Sequence, residues 1–197
     1  MVNNHNIMVK KELYAILEFL IQNRESQFTI RELSLERKIN YKSAYEVIQK
    51  LNEEGCIRVI KKGQTCLCQF NQHLTPSVYH AEHSRLHNAL KNKDLKILYD
   101  ALRKVSSQCI VLLFGSYVKG TQTKHSDYDF LIISTEGKKV EDAISWIPKN
   151  IHTTCITYDE FLQMLKSTEF SVVNEAVKNN IILLGIEDYY RFIENAR

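Results

Sequence analysis

The sequence predicts an α+β protein: a helical module closed by a hairpin, then a helical linker, then an α/β part. Three observations lead there. Apolar residues recur at helical spacing from about residue 8 to residue 55. The stretch "CIRVIKKGQTCLCQF" then reads as two strands about a turn at Lys62-Gly63-Gln64. Further on, the continuously apolar "CIVLLF" (109–114) reads as a strand buried on both faces, and "FLIIS" comes after an Asp-x-Asp. The expected boundaries are 1–72 for the first module, 73–107 for the linker and 108–197 for the last part.

In the first module Leu13, Ile16, Leu17 and Leu20 fall on one helix face. Thr29 with Glu32 forms a capping box that starts a second helix. Asn40 caps a third, "YKSAYEVIQKLNEEG", which ends at Gly55. Its buried stripe is Ala44, Val47, Ile48 and Leu51, which leaves Lys42, Ser43, Tyr45, Gln49 and Lys50 outside. Residues 1–72 hold 11 Lys and Arg against 8 Asp and Glu, whereas residues 73–197 hold 15 of each. The net charge of +3 therefore sits in the first module and is compatible with nucleic acid.

Three short helices, the "LNEEGCI" exit and a hairpin resemble the winged helix-turn-helix family over residues 8–72. The resemblance implies DNA binding, with Lys42, Ser43, Tyr45, Gln49 and Lys50 toward base edges and phosphates and Arg58, Lys61 and Lys62 on the wing. It also implies a homodimer, since such regulators often dimerise on palindromic sites. The alternative is a protein-docking module whose charges are a solvated face.

The linker reads as helical with a break near Asn92, and Pro76 suits a helix start. His80, His83 and His87 share one helix face, a spacing that suits a transition metal, a polar face or a dimer contact. Leu95, Leu98 and Leu102 form a stripe expected to pack on the α/β part. The chain's 44% hydrophobic and 25% charged residues are ordinary for a globular protein. No apolar run approaches the roughly 20 residues of a membrane span, and the N-terminus lacks a secretory pattern. The expectation is a cytoplasmic protein without a membrane partner. The five cysteines are an odd count. Cys66 and Cys68, two apart on a strand, read as reduced thiols, with a metal pair as the alternative.

The chemistry concentrates in "FGSYVKGTQTKHSDYDFL" (114–131). Gly115 lets the backbone approach a ligand, Ser116 offers an N–H and a hydroxyl, and a helix starting there favours phosphate. Gly120 leaves a second close approach open. Asp127 and Asp129 sit on one face of a strand, where two carboxylates can share Mg²⁺ with substrate phosphates. A phosphate cradle beside a carboxylate pair suits a nucleoside triphosphate with Mg²⁺. Lys119, Lys124 and His125 are further candidates for phosphate contact.

The pattern Gly-Ser-x3-Gly-x6-Asp-x-Asp resembles the nucleotidyltransferase superfamily, in its minimal branch related to DNA polymerase beta, over residues 90–195. The tail "VVNEAVKNNIILLGIEDYYRFI" resembles the end of such domains: helix, strand, glycine, helix. The resemblance implies a mixed sheet, with Gly115, Ser116 and Gly120 on the nucleotide and Asp127 and Asp129 as catalytic metal ligands. The implied reaction is in-line attack of an acceptor hydroxyl on the α-phosphate of an NTP, ATP being the expected one, with release of pyrophosphate. Related small domains modify a partner protein, which makes a protein acceptor plausible.

One part of the pattern is missing. Family members add a third carboxylate on the next strand. Here that strand is "NIHTTCITYDEF", no acid lies within "IHTTCIT", and the slot falls near His152, expected to be a partly buried histidine or else a base. Two functions are consistent with this: a nucleotidyltransferase moving AMP to a macromolecular hydroxyl, or a DNA-binding regulator whose degenerate domain senses nucleotide without turnover.

Overall fold

The structure is a computed structural model describing residues 4–105, 108–123, 125–167 and 171–196; Lys124 lies outside the described residues. The chain divides into two compact units, residues 1–81 and 82–197, and the division falls inside the fourth helix rather than at either end of the expected linker.

The first unit begins with α1 (Asn4–Gln22), whose Leu13, Ile16, Leu17 and Leu20 are buried. The box at Thr29 starts α2 (Ile30–Arg37): the Glu32 N–H donates to Thr29 Oγ1, and the Thr29 N–H donates back to the Glu32 carboxylate at 2.7 Å. Asn40 caps α3 (Tyr41–Glu53) by accepting from the Lys42 N–H. Ala44, Val47, Ile48 and Leu51 are the buried stripe of α3, each worth up to about 3 kcal/mol in the larger cases.

The hairpin strands are β2 (Ile57–Lys62) and β3 (Thr65–Phe70). Lys62 pairs with Thr65, so the turn is the two residues Gly63-Gln64, with Lys62 already in the ladder. A short strand that the sequence pattern does not announce, β1 (Phe28–Thr29), pairs antiparallel with β3 and gives the sheet order β1-β3-β2. Two residues are too few to show alternation, and Thr29 carries the stronger cap signal.

α4 (Pro76–Ala89) starts at Pro76, and Thr75 Oγ1 accepts from the Val78 N–H. Its second half is fastened within the second unit by a buried network. The Tyr190 hydroxyl donates to Glu82 at 2.7 Å, and Arg85 donates both to Glu82 and to the Asn180 carbonyl. His80, His83 and His87 are exposed on α4, and among the described residues no group of three or more His, Cys, Asp and Glu is placed to hold a metal ion. All five cysteines are free. Burial and the neighbouring Cys66 push the Cys68 thiol up to about 11, which keeps it protonated and unreactive.

After the break, Asn92 caps α5 (Lys93–Leu102), accepting from the N–H groups of Asp94 and Leu95. Leu95, Leu98 and Leu102 join a core with Val111, Leu113, Phe130 and Ile132. The strands are β4 (Ile110–Phe114), β5 (Tyr128–Ile133), β6 (Ile151–Ile156) and β7 (Ile181–Leu184), in the order β6-β5-β4-β7. The sheet is mixed: β4 is antiparallel to β5 and β7, while β5 and β6 run parallel through the crossover helix α7 (Gly137–Ser145). Every residue of β4 is buried, as a central strand requires. Between β4 and β5 lies α6 (Ser116–Lys119). After β6 come α8 (Tyr158–Lys166), α9 (Val172–Lys178) and, beyond β7, α10 (Ile186–Asn195). Asp159 and Glu160 open α8, with Glu160 closing a capping box on Thr157.

Candidate functional site

The Gly-Ser turn and the aspartates meet at one end of the sheet, because β4 and β5 pair antiparallel with Phe114 opposite Asp129. The residue after Phe114 therefore lies beside the Asp129 side chain. Gly115 has φ 74 and ψ −147, a backbone region nearly exclusive to glycine. A Cβ on it would stand 2.2 Å from Asp129 Oδ2 and 3.1 Å from Asp129 Cγ. The aspartate carboxylate occupies the space that a side chain at 115 would need.

Ser116 opens α6. The Val118 and Lys119 N–H groups donate to the Gly115 carbonyl, while the first N–H groups of the helix have no intrahelical acceptor. Gly120 ends α6 in the left-handed region at φ 71. No atom lies within 4 Å of where its Cβ would sit, so its glycine is needed for the turn rather than for a close approach. Tyr117 stacks on Tyr128 with ring centroids 4.0 Å apart, and the Tyr128 hydroxyl donates to Asn92 Oδ1. That stack ties α6 to β5 beside Asp129. Burial holds the Tyr128 phenol well above its usual range, so it stays a neutral donor.

Asp127 is exposed and lies one residue before β5, not within it. Before it, the Thr123 N–H donates to Ser126 Oγ at 2.8 Å. Asp129 is partly buried and its pKa is raised. Burial is the largest cause, the charges of Asp127 and Glu175 add to it, and His152 works against it. A dication between the carboxylates would relieve that penalty. Two carboxylates, with phosphates and water completing the shell, fit Mg²⁺.

His152 pairs in register with Asp129 across the parallel β5–β6 ladder, and its Nδ1 is 3.5 Å from Asp129 Oδ1. Its side chain is 65% exposed, so it is not the partly buried histidine expected from its strand: β6 is the edge of the sheet, and His152 and Cys155 are exposed on it. Lys119 is engaged rather than free, its Nζ lying 2.6 Å from Glu175 Oε1 on α9. His125 is exposed. Sequence reasoning missed Glu175, because nothing in "VVNEAVK" marks it; only the packing of α9 near β4 brings it to this end of the sheet.

Residues 95–181 match the family model of the nucleotidyltransferase domain. The match runs from α5 to the first residue of β7 and includes Gly115, Ser116, Gly120, Asp127, Asp129, His152 and Glu175. Over this stretch, less than half of the chain, the protein is similar to the nucleotidyltransferase domain. No curated protein and no solved structure matches the chain. Among the described residues no helix is long and apolar enough to cross a membrane.

In the first unit, Lys42, Tyr45, Gln49 and Lys50 are exposed on α3, and Ser43 is half-buried beside the core stripe. Arg58, Lys61 and Lys62 are exposed along β2. A cleft of about 270 Å³ opens between the start of α2, the Tyr41 and Tyr45 side of α3, and the hairpin residues Gln64 to Cys66.

Proposed function

We propose that the domain transfers a nucleoside monophosphate, AMP in the first instance, from an NTP to a macromolecular hydroxyl. The first unit is proposed as a winged helix-turn-helix that binds DNA, with domains at 1–72 and 108–197 joined by 73–107. The observation that carries the transferase reading is that the Asp129 carboxylate occupies the space a side chain on Gly115 would need. It puts a side-chain-free stretch of backbone and a metal-competent carboxylate at one point, where a phosphate can touch both.

In this reading Gly115 and Ser116 bind the polyphosphate through N–H and hydroxyl, and Gly120 shapes the loop that carries them. Asp127 and Asp129 hold Mg²⁺, which when bound supplies charge neutralisation and alignment of the phosphates. The acceptor oxygen forms a bond to the α-phosphorus as the bond to the bridging oxygen breaks. Pyrophosphate leaves, and the acceptor proton passes to a base. His152 stands opposite Asp129 and is the side chain of β6 placed to take that proton. Holding the reactants in line and neutralising charge supply the larger share of rate enhancement.

The DNA reading rests on the basic row of α3 and β2 and on the three-stranded sheet behind it. A second reading, a DNA-binding regulator that senses nucleotide without turnover, is favoured by the absence of an acid on β6. Calorimetry with ATP and Mg²⁺ on the parent and Asp127→Asn tests the site. The variant should lose at least about tenfold in Mg²⁺-dependent affinity, since losing a charged ligand costs more than a neutral hydrogen bond. Unchanged heat and affinity would place the nucleotide elsewhere. Labelled ATP, CTP, GTP and UTP with Mg²⁺ and host lysate separate the two readings: label on a macromolecule supports transfer, and binding without transfer supports sensing.

A further inference from the structure

We infer that Glu175 is a positioning residue of the nucleotide site: it holds the Lys119 ammonium in place for the polyphosphate. The inference rests on the nucleotide reading above and adds to it a residue from α9.

Lys119 is the last residue of α6, three positions after Ser116, so its stem leaves from the same short helix that opens on the proposed phosphate. Alone, a lysine half exposed on a four-residue helix would sample many rotamers, and ordering it on a ligand would cost up to about 2 kcal/mol. Glu175 meets that ammonium at 2.6 Å. Its own backbone is fixed: Val173 and Ala176 beside it are fully buried, the Ser171 hydroxyl caps the helix, and the Glu175 N–H donates to the Ser171 carbonyl. The backbone that carries the carboxylate is thus fixed, and the ion pair restricts the lysine to its side of α9. Glu175 is also close enough for its charge to bear on Asp129. The pair therefore stands near the aspartates rather than on a remote surface. A salt bridge this exposed adds little to stability, so ordering a cation for a ligand is the role left to it.

The alternatives make opposite predictions. If Glu175 sequesters Lys119, removing its charge tightens nucleotide binding. If Glu175 acts directly, as a ligand of the metal, its loss weakens binding whether or not Lys119 is present. If it positions Lys119, its loss weakens binding only when Lys119 is there.

The test is a double-mutant cycle on the full chain with Lys119→Ala, Glu175→Gln and both, reading MgATP Kd by calorimetry at several Mg²⁺ concentrations, with thermal melts alongside. Lys119→Ala should raise Kd about tenfold, as expected for a charge-assisted phosphate contact. Glu175→Gln should raise it about threefold or more, Glu175→Asp should recover part of the loss, and the double variant should be no weaker than Lys119→Ala alone. Additive losses, a tighter Glu175→Gln variant, or a change in melting temperature with Kd unmoved would each overturn the inference. If the parent binds MgATP and Asp127→Asn abolishes it, those outcomes refute the role of Glu175 alone. If the parent does not bind MgATP, the nucleotide reading falls and this inference with it.

Discussion

The space beside Gly115 can be tested with two alanines. Gly115 and Gly120 both have positive φ, 74 and 71, so alanine at either is strained. At Gly120 nothing lies within 4 Å of the new Cβ, and the cost is the left-handed backbone alone, about 1–2 kcal/mol. At Gly115 the conformation is the more restricted one, about 1–3 kcal/mol, and the new methyl meets Asp129 as well. Two responses are open. If the carboxylate stays, the overpacking adds about 1–3 kcal/mol and the total reaches about 2–6 kcal/mol. If it rotates away to relieve the 2.2 Å approach, Asp129 Cβ remains at 3.3 Å, and the carboxylate no longer faces the cradle.

Either way Gly115→Ala should lose at least about tenfold in Mg²⁺-dependent ATP affinity, the scale of one charged ligand. Gly120→Ala should keep most of it. Stability is followed by urea titration of the variants and the parent, read by circular dichroism. If Gly115→Ala is as stable as Gly120→Ala and binds MgATP like the parent, the carboxylate is not packed against Gly115, and the case for a joint phosphate and metal site at this point fails.

Two further outcomes are expected. Changing Lys42, Lys50, Lys61 and Lys62 together to Ala should weaken DNA binding and flatten its dependence on salt, because phosphate contacts release counterions; a quadruple variant that binds as well as the parent would move the DNA elsewhere. His152→Asp puts a carboxylate in register with Asp129 and should raise transferase rate and its Mg²⁺ dependence if the slot on β6 is functionally empty, by up to the roughly 10²–10⁴-fold of a general base. If His152 is itself the base, His152→Ala should abolish transfer, and if neither variant changes a measured rate the missing group does not belong on this strand.

The helices and buried strands were legible because each has a local cause: a stripe at helical spacing, a capping residue, a continuous apolar run. Leu13 to Leu20, Thr29 with Glu32, Asn40, Pro76 and the run at 110–114 all behave as their types and spacing require. The features that escaped have causes that are not local. β1 exists only because β3 offers it a ladder. Glu82, set among the histidines of α4, is buried, and Tyr190, 108 residues on, donates to it. Asn92 read as a break, but its side chain also accepts from Tyr128 across the sheet.

The same distinction governs the missing acid. A search along β6 asks which residue the chain supplies next to Asp129, and the parallel register answers with His152. The electrostatics ask a different question, namely which charges reach Asp129 from any element, and the answer includes Glu175 from a helix that comes after β6 in sequence and packs near β4. An acid can leave its usual strand without leaving the site, provided another element presents one at the same end of the sheet. Here that acid is already paired with a lysine. Placing a carboxylate at 152 and breaking the pair at 175 therefore perturb different things. The first adds charge where the ladder holds it beside Asp129, and the second releases a cation from the carboxylate that orders it. A gain of rate from the first with a loss of affinity from the second would assign proton transfer and phosphate binding to separate elements, β6 and α9, that no single stretch of sequence contains.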